Sequence, residues 1–508
     1  MIRLLALTVL FFQLQLSFGQ TSLEQIDLTH GKYKVGFQHY TTSDETRTYT
    51  RINDYTNQKI ARPISVSIWY PSSQNTTNIK PLSILNYFEV LKEEEEWEYL
   101  PNEQLLNWFY YYNTPENQAH LKEETQAFFD VDFAQGKFPT LIYTPSLHAS
   151  SVENFALCEY LASHGYVVIS SPSKGSEYRR FNNPARGIDN QAKDTEFLIA
   201  EVKKVPIADR ENMAIIAFSF GGLSNMILQM RNENIKAIVS LDGTERYRYG
   251  LLEKSPYFNL DRIDVPYIHM AQKNIPDNVL KEDKMDADIN STFDLYDKLT
   301  RSQVYKLKFN KLTHLYFSSM GVLFQNRDPR QDKSDAEIME SYKWVSNYTL
   351  NFLNAFLKKE ADALKFMEND PIQNGATKGL ISKTSKQAEK RAFNVRDFND
   401  LARAQNYEDL LTLYEATMKK HPSLEIPEGA LNGIGLQLVF NPKTSKQGID
   451  VFLFATKLYP NSSNLYDSLA EAYLFLGDKK NAIVSFEKAL ELDASNQNAS
   501  TRLQQLKK

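Results

Sequence analysis

The feature that most restricts this chain is a rhythm of continuously apolar segments separated by amphipathic ones, running from Phe138 to about residue 356. FPTLIYTP, YVVISSP, MAIIAFSF, IKAIVSLDG, VPYIHMAQ and VYKLKFNKLTH read as strands. VENFALCEYLASHG, DTEFLIAEVKKV and GGLSNMILQMRN read as helices between the earlier ones. A strand apolar on every residue is buried on both faces, and strands joined through helices must run parallel. The expected core is therefore a mostly parallel sheet with helices on both faces. SYKWVSNYTLNFLNAFLKK closes it as a long amphipathic helix.

The flanks differ. KYKVGFQHY and RPISVSIWYPS alternate and predict two further strands before a Pro-Ser turn. Residues 83–135 then read as a helical insertion, with the Glu93–Glu96 run as a solvated helix face. The aromatic stretch Trp108–Tyr112 is expected to pack the insertion onto the core, with a lid over a pocket as the alternative. Residues 366–395 are polar, carry Gly, Ser and Lys, and read as a linker, which sets domains of 20–365 and 396–508. At 508 residues, two or three domains is the expected count.

Residues 1–19 read as a signal peptide. Arg3 gives a positive start, Leu4–Phe12 an apolar run, and Ser17 and Gly19 the small residues before cleavage at Gln20. The expectation is export to the periplasm or beyond, with no transmembrane segment in the mature chain. The single cysteine, Cys158, excludes an intrachain disulfide and lies on an apolar helix face, as an inert core thiol would. A net charge of −5 gives no footprint for nucleic acid. No Walker loop, HExxH or paired-Cys ligand set is present, so neither cofactor nor metal is expected.

Ala217-Phe218-Ser219-Phe220-Gly221-Gly222 lies where an apolar strand passes into a helix. That is the setting of a nucleophile elbow, in which small neighbours let helix and strand cross closely around an exposed hydroxyl. A serine hydroxyl needs an imidazole to become a useful nucleophile at neutral pH. In such enzymes the histidine follows the serine. Of the eight histidines only His269, His314 and His421 do so. His269 sits inside a strand and His421 in the helical tail, so His314, after the final strand, is the expected base. An acid must hold the ring, and Asp242 and Asp277 each follow a strand beyond the elbow. The oxyanion hole needs two backbone N–H groups. Phe220 offers one. Leu147 or Ser146, after FPTLIYTP, offers the other, since Pro145 has no N–H.

Taken together, RPISVSIWYPS, the FPTLIYTPSLHASSVENFALCEYLASHGYVVIS block, DRENMAIIAFSFGG, AIVSLDG and LTHLYFSS resemble the α/β-hydrolase branch of type II platelet-activating-factor acetylhydrolases and dienelactone-hydrolase-like proteins. The resemblance spans about residues 30–360 without the insertion. It implies the α/β-hydrolase fold, Asp242 rather than Asp277 as the acid, and Leu147 as the oxyanion residue. The family's Ser-His-Gly before that leucine is replaced by Thr144-Pro145-Ser146. SPSKGSEYRR falls at the same edge of the sheet. Its Lys174, Arg179 and Arg180 are expected to be structural or surface charges, with binding of an anionic substrate group as the alternative.

In the tail, Tyr466, Leu469, Ala470, Tyr473, Ala482, Phe486 and Ala489 fall on the large and small positions of a tetratricopeptide repeat. Gly448, Phe452, Ala455 and Pro460 mark a preceding repeat, and NYEDLLTLYEATMKKH a leading helix. The resemblance implies a short helical array suited to self-association or a protein partner. The expected function is hydrolysis of carboxylic esters, acetyl or lipid esters among them, through Ser219, His314 and Asp242. The alternatives are an amide or peptide hydrolase on the same residues, and a non-catalytic binding protein acting through the repeats.

Overall fold

The structure is a computed structural model, and it describes residues 21–507 apart from 53, 181–183, 233, 329–333 and 390–391. The segment read as a signal peptide lies outside the described residues. The chain divides into two compact units, with the boundary between Glu389 and Lys390.

The first unit is built on one sheet of ten strands: β1 Lys34–Tyr49, β2 Ile60–Ser72, β3 Ala127–Phe129, β4 Phe138–Thr144, β5 Val167–Ser170, β6 Ala208–Phe218, β7 Ile235–Leu241, β8 Tyr267–Ala271, β9 Val304–Phe309 and β10 Ile381–Lys386. Their order is β10-β9-β8-β7-β6-β4-β5-β2-β1-β3. The strands from β4 to β9 run parallel to their neighbours, while β1–β2, β2–β5 and β9–β10 pair antiparallel. Alternation along the apolar strands sorts their side chains onto two faces. Leu141, Tyr143, Ala214, Ile216 and Val239 pack with helices Phe155–Ser163 and Ala336–Phe356. Ile142, Ile215 and Ile238 pack with helices Pro184–Glu201 and Gly221–Arg231 on the opposite face. Both layers are buried, which is why the strands carry no polar alternation.

Two sequence expectations change here. Most of the stretch read as a linker, residues 366–386, belongs to the first unit. Helix Ala361–Glu368 buries Ala363 and Met367, and β10 extends the sheet from Ile381 against Phe309 to Lys386 against Val304. An edge strand shows a face to solvent and is protected from further pairing by lysines. Ile-Ser-Lys-Thr-Ser-Lys therefore looks like loop sequence although it is strand. The Glu93–Glu96 run is also not a solvated face, since Glu94, Glu95 and Glu96 are all buried. Glu94 accepts from Ser150 Oγ and from the N–H and Oγ of Ser151, Glu95 pairs with Arg179, and Glu96 accepts from Tyr49 Oη at 2.6 Å and the Ile52 N–H at 2.6 Å.

The insertion around them is helical at Ile84–Glu94 and Pro115–His120 and contributes β3 beside β1. Tyr87, Phe88, Leu91, Leu105 and Leu106 are buried in the core. The stretch Trp108–Tyr112, expected to pack the insertion down, does so only through Phe109 and Tyr111, while Trp108, Tyr110 and Tyr112 are exposed.

The second unit is all helical among its described residues: Val395–Ala404, Leu410–Lys420, Glu428–Val439, Ser445–Leu458, Ser463–Phe475, Lys479–Leu492 and Gln497–Leu506. Small residues set the close crossings. A Cβ on Gly448 would stand 2.4 Å from the Val439 side chain, and one on Gly435 would stand 2.7 Å from the Phe452 ring. Ala470, Ala482, Phe486 and Ala489 are fully buried with Ala499 and Leu503 of the last helix. Among the described residues no helix is long and apolar enough to cross a membrane.

Candidate active site

Ser219 directly follows β6 and turns the chain into helix Gly221–Arg231 with a φ of +54°. A non-glycine residue held there is strained by about 1–3 kcal/mol. The turn is fixed from both sides. Its N–H donates to Leu241 O at 3.1 Å, and its carbonyl accepts from Gly222 N at 3.0 Å and Thr244 N at 2.8 Å. Gly221 is required by crowding, since a Cβ would lie 2.4 Å from the Thr144 carbonyl oxygen. Ala217, in place of the more usual glycine, is fully buried in β6 beside Thr144 and Ser240.

Asp242 follows β7, also at positive φ (+44°), and is completely buried. His314 opens a short helical turn after β9 and is partly exposed. Their side chains converge on Ser219. His314 Nδ1 lies 2.6 Å from Asp242 Oδ2, and His314 Nε2 lies 2.7 Å from Ser219 Oγ. Burial opposes charge on Asp242. The His314 contact, the Tyr247 hydroxyl at 2.5 Å and the Gln272 N–H at 3.0 Å outweigh it, and its carboxyl is held below the usual range. Gln272 also accepts from the His314 N–H at 3.0 Å and donates to Tyr247 Oη at 3.2 Å. With Asp242 in contact with the ring, Asp277 is elsewhere, opening helix Asp277–Glu282. His269 is fully buried against Glu245 and Tyr267, and His421 stacks on Phe393 in the second unit.

The turn after β4 carries the other oxyanion candidates. Ser146 is excluded as a donor, because its N–H already reaches Glu153 Oε1 at 2.7 Å. Leu147 is left in that loop, half exposed, with His148 following at φ +61°. Phe220, beside Ser219, begins the helix and is buried.

The cations of SPSKGSEYRR are mostly turned inward. Arg179 is fully buried, bound to Glu95, to Ser173 O at 2.7 Å and to His148 O at 2.7 Å. Lys174 is also buried, and burial with the neighbouring Arg179 charge lowers its pKa to about 8. Arg180 is more than half exposed, its guanidinium 3.5 Å from Glu95. Tyr247, Gln272 and Glu153 went unmarked in the sequence, since each acts on a partner supplied by a different segment.

The first unit has the α/β-hydrolase fold, and the second is a tetratricopeptide-type helical unit. The family model for the tetratricopeptide repeat matches residues 463–496. Among solved structures the chain is similar to a ferulic acid esterase from Streptomyces cinnamoneus, at 15% identity and a TM-score of 0.48, over 70% of this chain and 97% of that one. No curated protein matches the sequence.

Proposed function

We propose that this protein is a serine hydrolase of carboxylic esters that works through an acyl-enzyme. The observation that carries the reading is the position of His314, one ring nitrogen 2.7 Å from Ser219 Oγ and the other 2.6 Å from Asp242. Ser219 Oγ attacks the ester carbonyl carbon while His314 Nε2 takes its proton. The developing oxyanion is met by the N–H groups of Phe220 and Leu147. Collapse breaks the bond to the alcohol, which leaves with the proton from His314. Water then repeats the sequence on the acyl-Ser219 ester and releases the acid. Asp242 remains ionised throughout and stabilises the imidazolium.

The finer assignment is to the acetylhydrolase and dienelactone-hydrolase-like branch, with an acetyl or lipid ester as substrate. It rests on the ordered motifs around Leu147, Ser219, Asp242 and His314. Export follows from the signal-peptide pattern of residues 1–19. The helical unit is assigned a role in self-association or in holding a protein partner, as repeats of this type bury one face on a neighbour.

The test compares turnover of p-nitrophenyl acetate with that of an aminoacyl anilide, and follows fluorophosphonate capture by Ser219. Ester turnover with capture supports the proposal. Preference for the anilide replaces esters by amides, and absence of both turnover and capture leaves a binding protein.

A further inference from the structure

The turn that carries Leu147 is pinned on either side of that residue. Thr144 Oγ1 donates to Asn225 at 2.7 Å, Pro145 O accepts from Gln191 at 2.9 Å, and His148 O accepts from Arg179 at 2.7 Å. The strongest hold is on Ser146. Its N–H donates to Glu153 Oε1 and its hydroxyl to Glu153 Oε2, each at 2.7 Å, while Tyr143 Oη reaches Oε1 at 3.1 Å. Two bonds from one residue to both oxygens of a buried carboxylate fix orientation as well as position.

The same residue also faces the histidine side of the site. The Glu153 carbonyl accepts from Met320 N at 3.2 Å and from Ser319 Oγ at 3.3 Å. Asn154, next in the chain, donates to Phe317 O at 3.0 Å and accepts from Ser319 N at 2.9 Å and Tyr342 Oη at 2.6 Å. Phe317 ends the turn that His314 opens, and Ser319 and Met320 come just after it. One dipeptide thus joins the oxyanion turn to the histidine segment.

This arrangement suits the replacement of Ser-His-Gly by Thr-Pro-Ser. A glycine adjusts its own backbone to aim the next N–H. Serine brings a hydroxyl, and here that hydroxyl meets a carboxylate. We propose that Glu153 is a positioning residue for acyl transfer: by gripping Ser146 it aims the Leu147 N–H at the oxyanion, and through its own carbonyl it keeps that N–H in register with the His314 segment. The proposal rests on the hydrolase reading above. Burial is the main influence on Glu153 and moves its pKa up to about 7, against the hydrogen bonds of Ser146 and Tyr143 and the nearby His314. Such a carboxyl is costly to keep and is consistent with a specific task.

The test measures kcat per phosphonate-titrated Ser219 with p-nitrophenyl acetate, together with the affinity of a trifluoromethyl ketone that forms a tetrahedral adduct. Because loss of one oxyanion donor costs about 10²–10³ in kcat, Glu153→Ala is expected to lower kcat roughly 30- to 300-fold with KM changed less than about threefold. Ketone affinity should fall in parallel with kcat/KM. Glu153→Gln, which keeps one acceptor for Ser146, should recover about tenfold of the loss, and Ser146→Ala should lose about three- to tenfold. A purely structural role would reduce the fraction of titratable sites and leave turnover per site unchanged. Turnover per site within about twofold of wild type in Glu153→Ala overturns the proposal. If that variant does not fold, Ser146→Ala decides in the same way. A wild-type protein with neither turnover nor phosphonate uptake would instead overturn the hydrolase reading itself.

Discussion

His314 Nε2 lies 2.7 Å from Ser219 Oγ, 95 positions away in the chain. On the proposed reading that contact makes the serine the nucleophile, and replacing it should remove the chemistry while sparing the fold. Ser219→Ala is expected to abolish fluorophosphonate labelling and to lower kcat for p-nitrophenyl acetate by about 10⁴–10⁶. Mass spectrometry of the labelled protein checks this. Phosphonate retained on the alanine variant would place the nucleophile elsewhere.

Asp242 is buried, ionised and in contact with the ring, so its amide counterpart would leave a donor facing the histidine and favour the wrong tautomer. Asp242→Asn is expected to reduce kcat by about 10⁴. Asp277→Asn, at the start of a surface helix, should stay within about twofold of wild type. Equal losses in the two variants would refute the assignment of the acid.

Much of this site is legible in the primary structure because its chemistry gathers where strands end. FSFGG, LDG and LTH each follow a buried apolar strand, and a parallel sheet delivers all such ends to one edge. What the sequence hides are partnerships between distant segments. The run at Glu93–Glu96 looks solvated because charges in sequence carry no mark of what they meet, here Ser150, Ser151, Arg179 and Tyr49. The edge strand β10 is polar on its outer face and so passes for a linker. Tyr247 and Gln272 are invisible for the same reason as Glu153, since nothing in their local pattern signals contact with Asp242 or Ser146.

Tyr247 supplies a hydroxyl bond to Asp242 Oδ1, the oxygen not used by His314. The Gln272 N–H shares that oxygen at 3.0 Å, so losing the phenol leaves the carboxylate partly held. A hydrogen bond to a charged group contributes about 1.5–3 kcal/mol. Tyr247→Phe should therefore reduce kcat by roughly tenfold, far less than Asp242→Asn, with KM little changed. Steady-state kinetics on p-nitrophenyl acetate decides, and a loss as large as that of the acid itself would contradict this ranking.

Glu159 gives a pH prediction that is independent of catalysis. It is buried, accepts from Tyr87 Oη at 2.6 Å and Gln126 N at 3.0 Å, and burial raises its pKa from 4.5 to about 7. Below pH 4.5 both folded and unfolded chains hold the proton, and nothing is lost. Between the two values the unfolded chain releases it while the folded one keeps it, so stability falls as pH rises and levels off above pH 7. At about 1.4 kcal/mol per unit, the loss is on the order of 3 kcal/mol. Glu159→Gln should remove that slope, so that the variant gains on wild type between pH 4 and pH 8 in urea unfolding. A constant difference between the two proteins across that range would show that the carboxyl does not titrate there.

The last three helices of the second unit can be tested separately because only two large side chains, Phe486 and Leu503, are buried in their shared cluster. Phe486 is fully buried among Ala470, Ala482, Ala489, Ala499 and Leu503, where small residues bring helices Ser463–Phe475, Lys479–Leu492 and Gln497–Leu506 together around its ring. Removing that ring leaves a cavity that alanines cannot fill, at a cost of about 3–5 kcal/mol. All four tryptophans, at positions 69, 97, 108 and 344, precede residue 390. Tryptophan fluorescence therefore assigns the transition of the sheet-containing unit, and far-UV circular dichroism reports helices of both units. Phe486→Ala is expected to lower the midpoint of a helical transition in the dichroism that fluorescence does not assign to the first unit. A dichroism profile identical to that of wild type would mean that Phe486 does not hold these helices together.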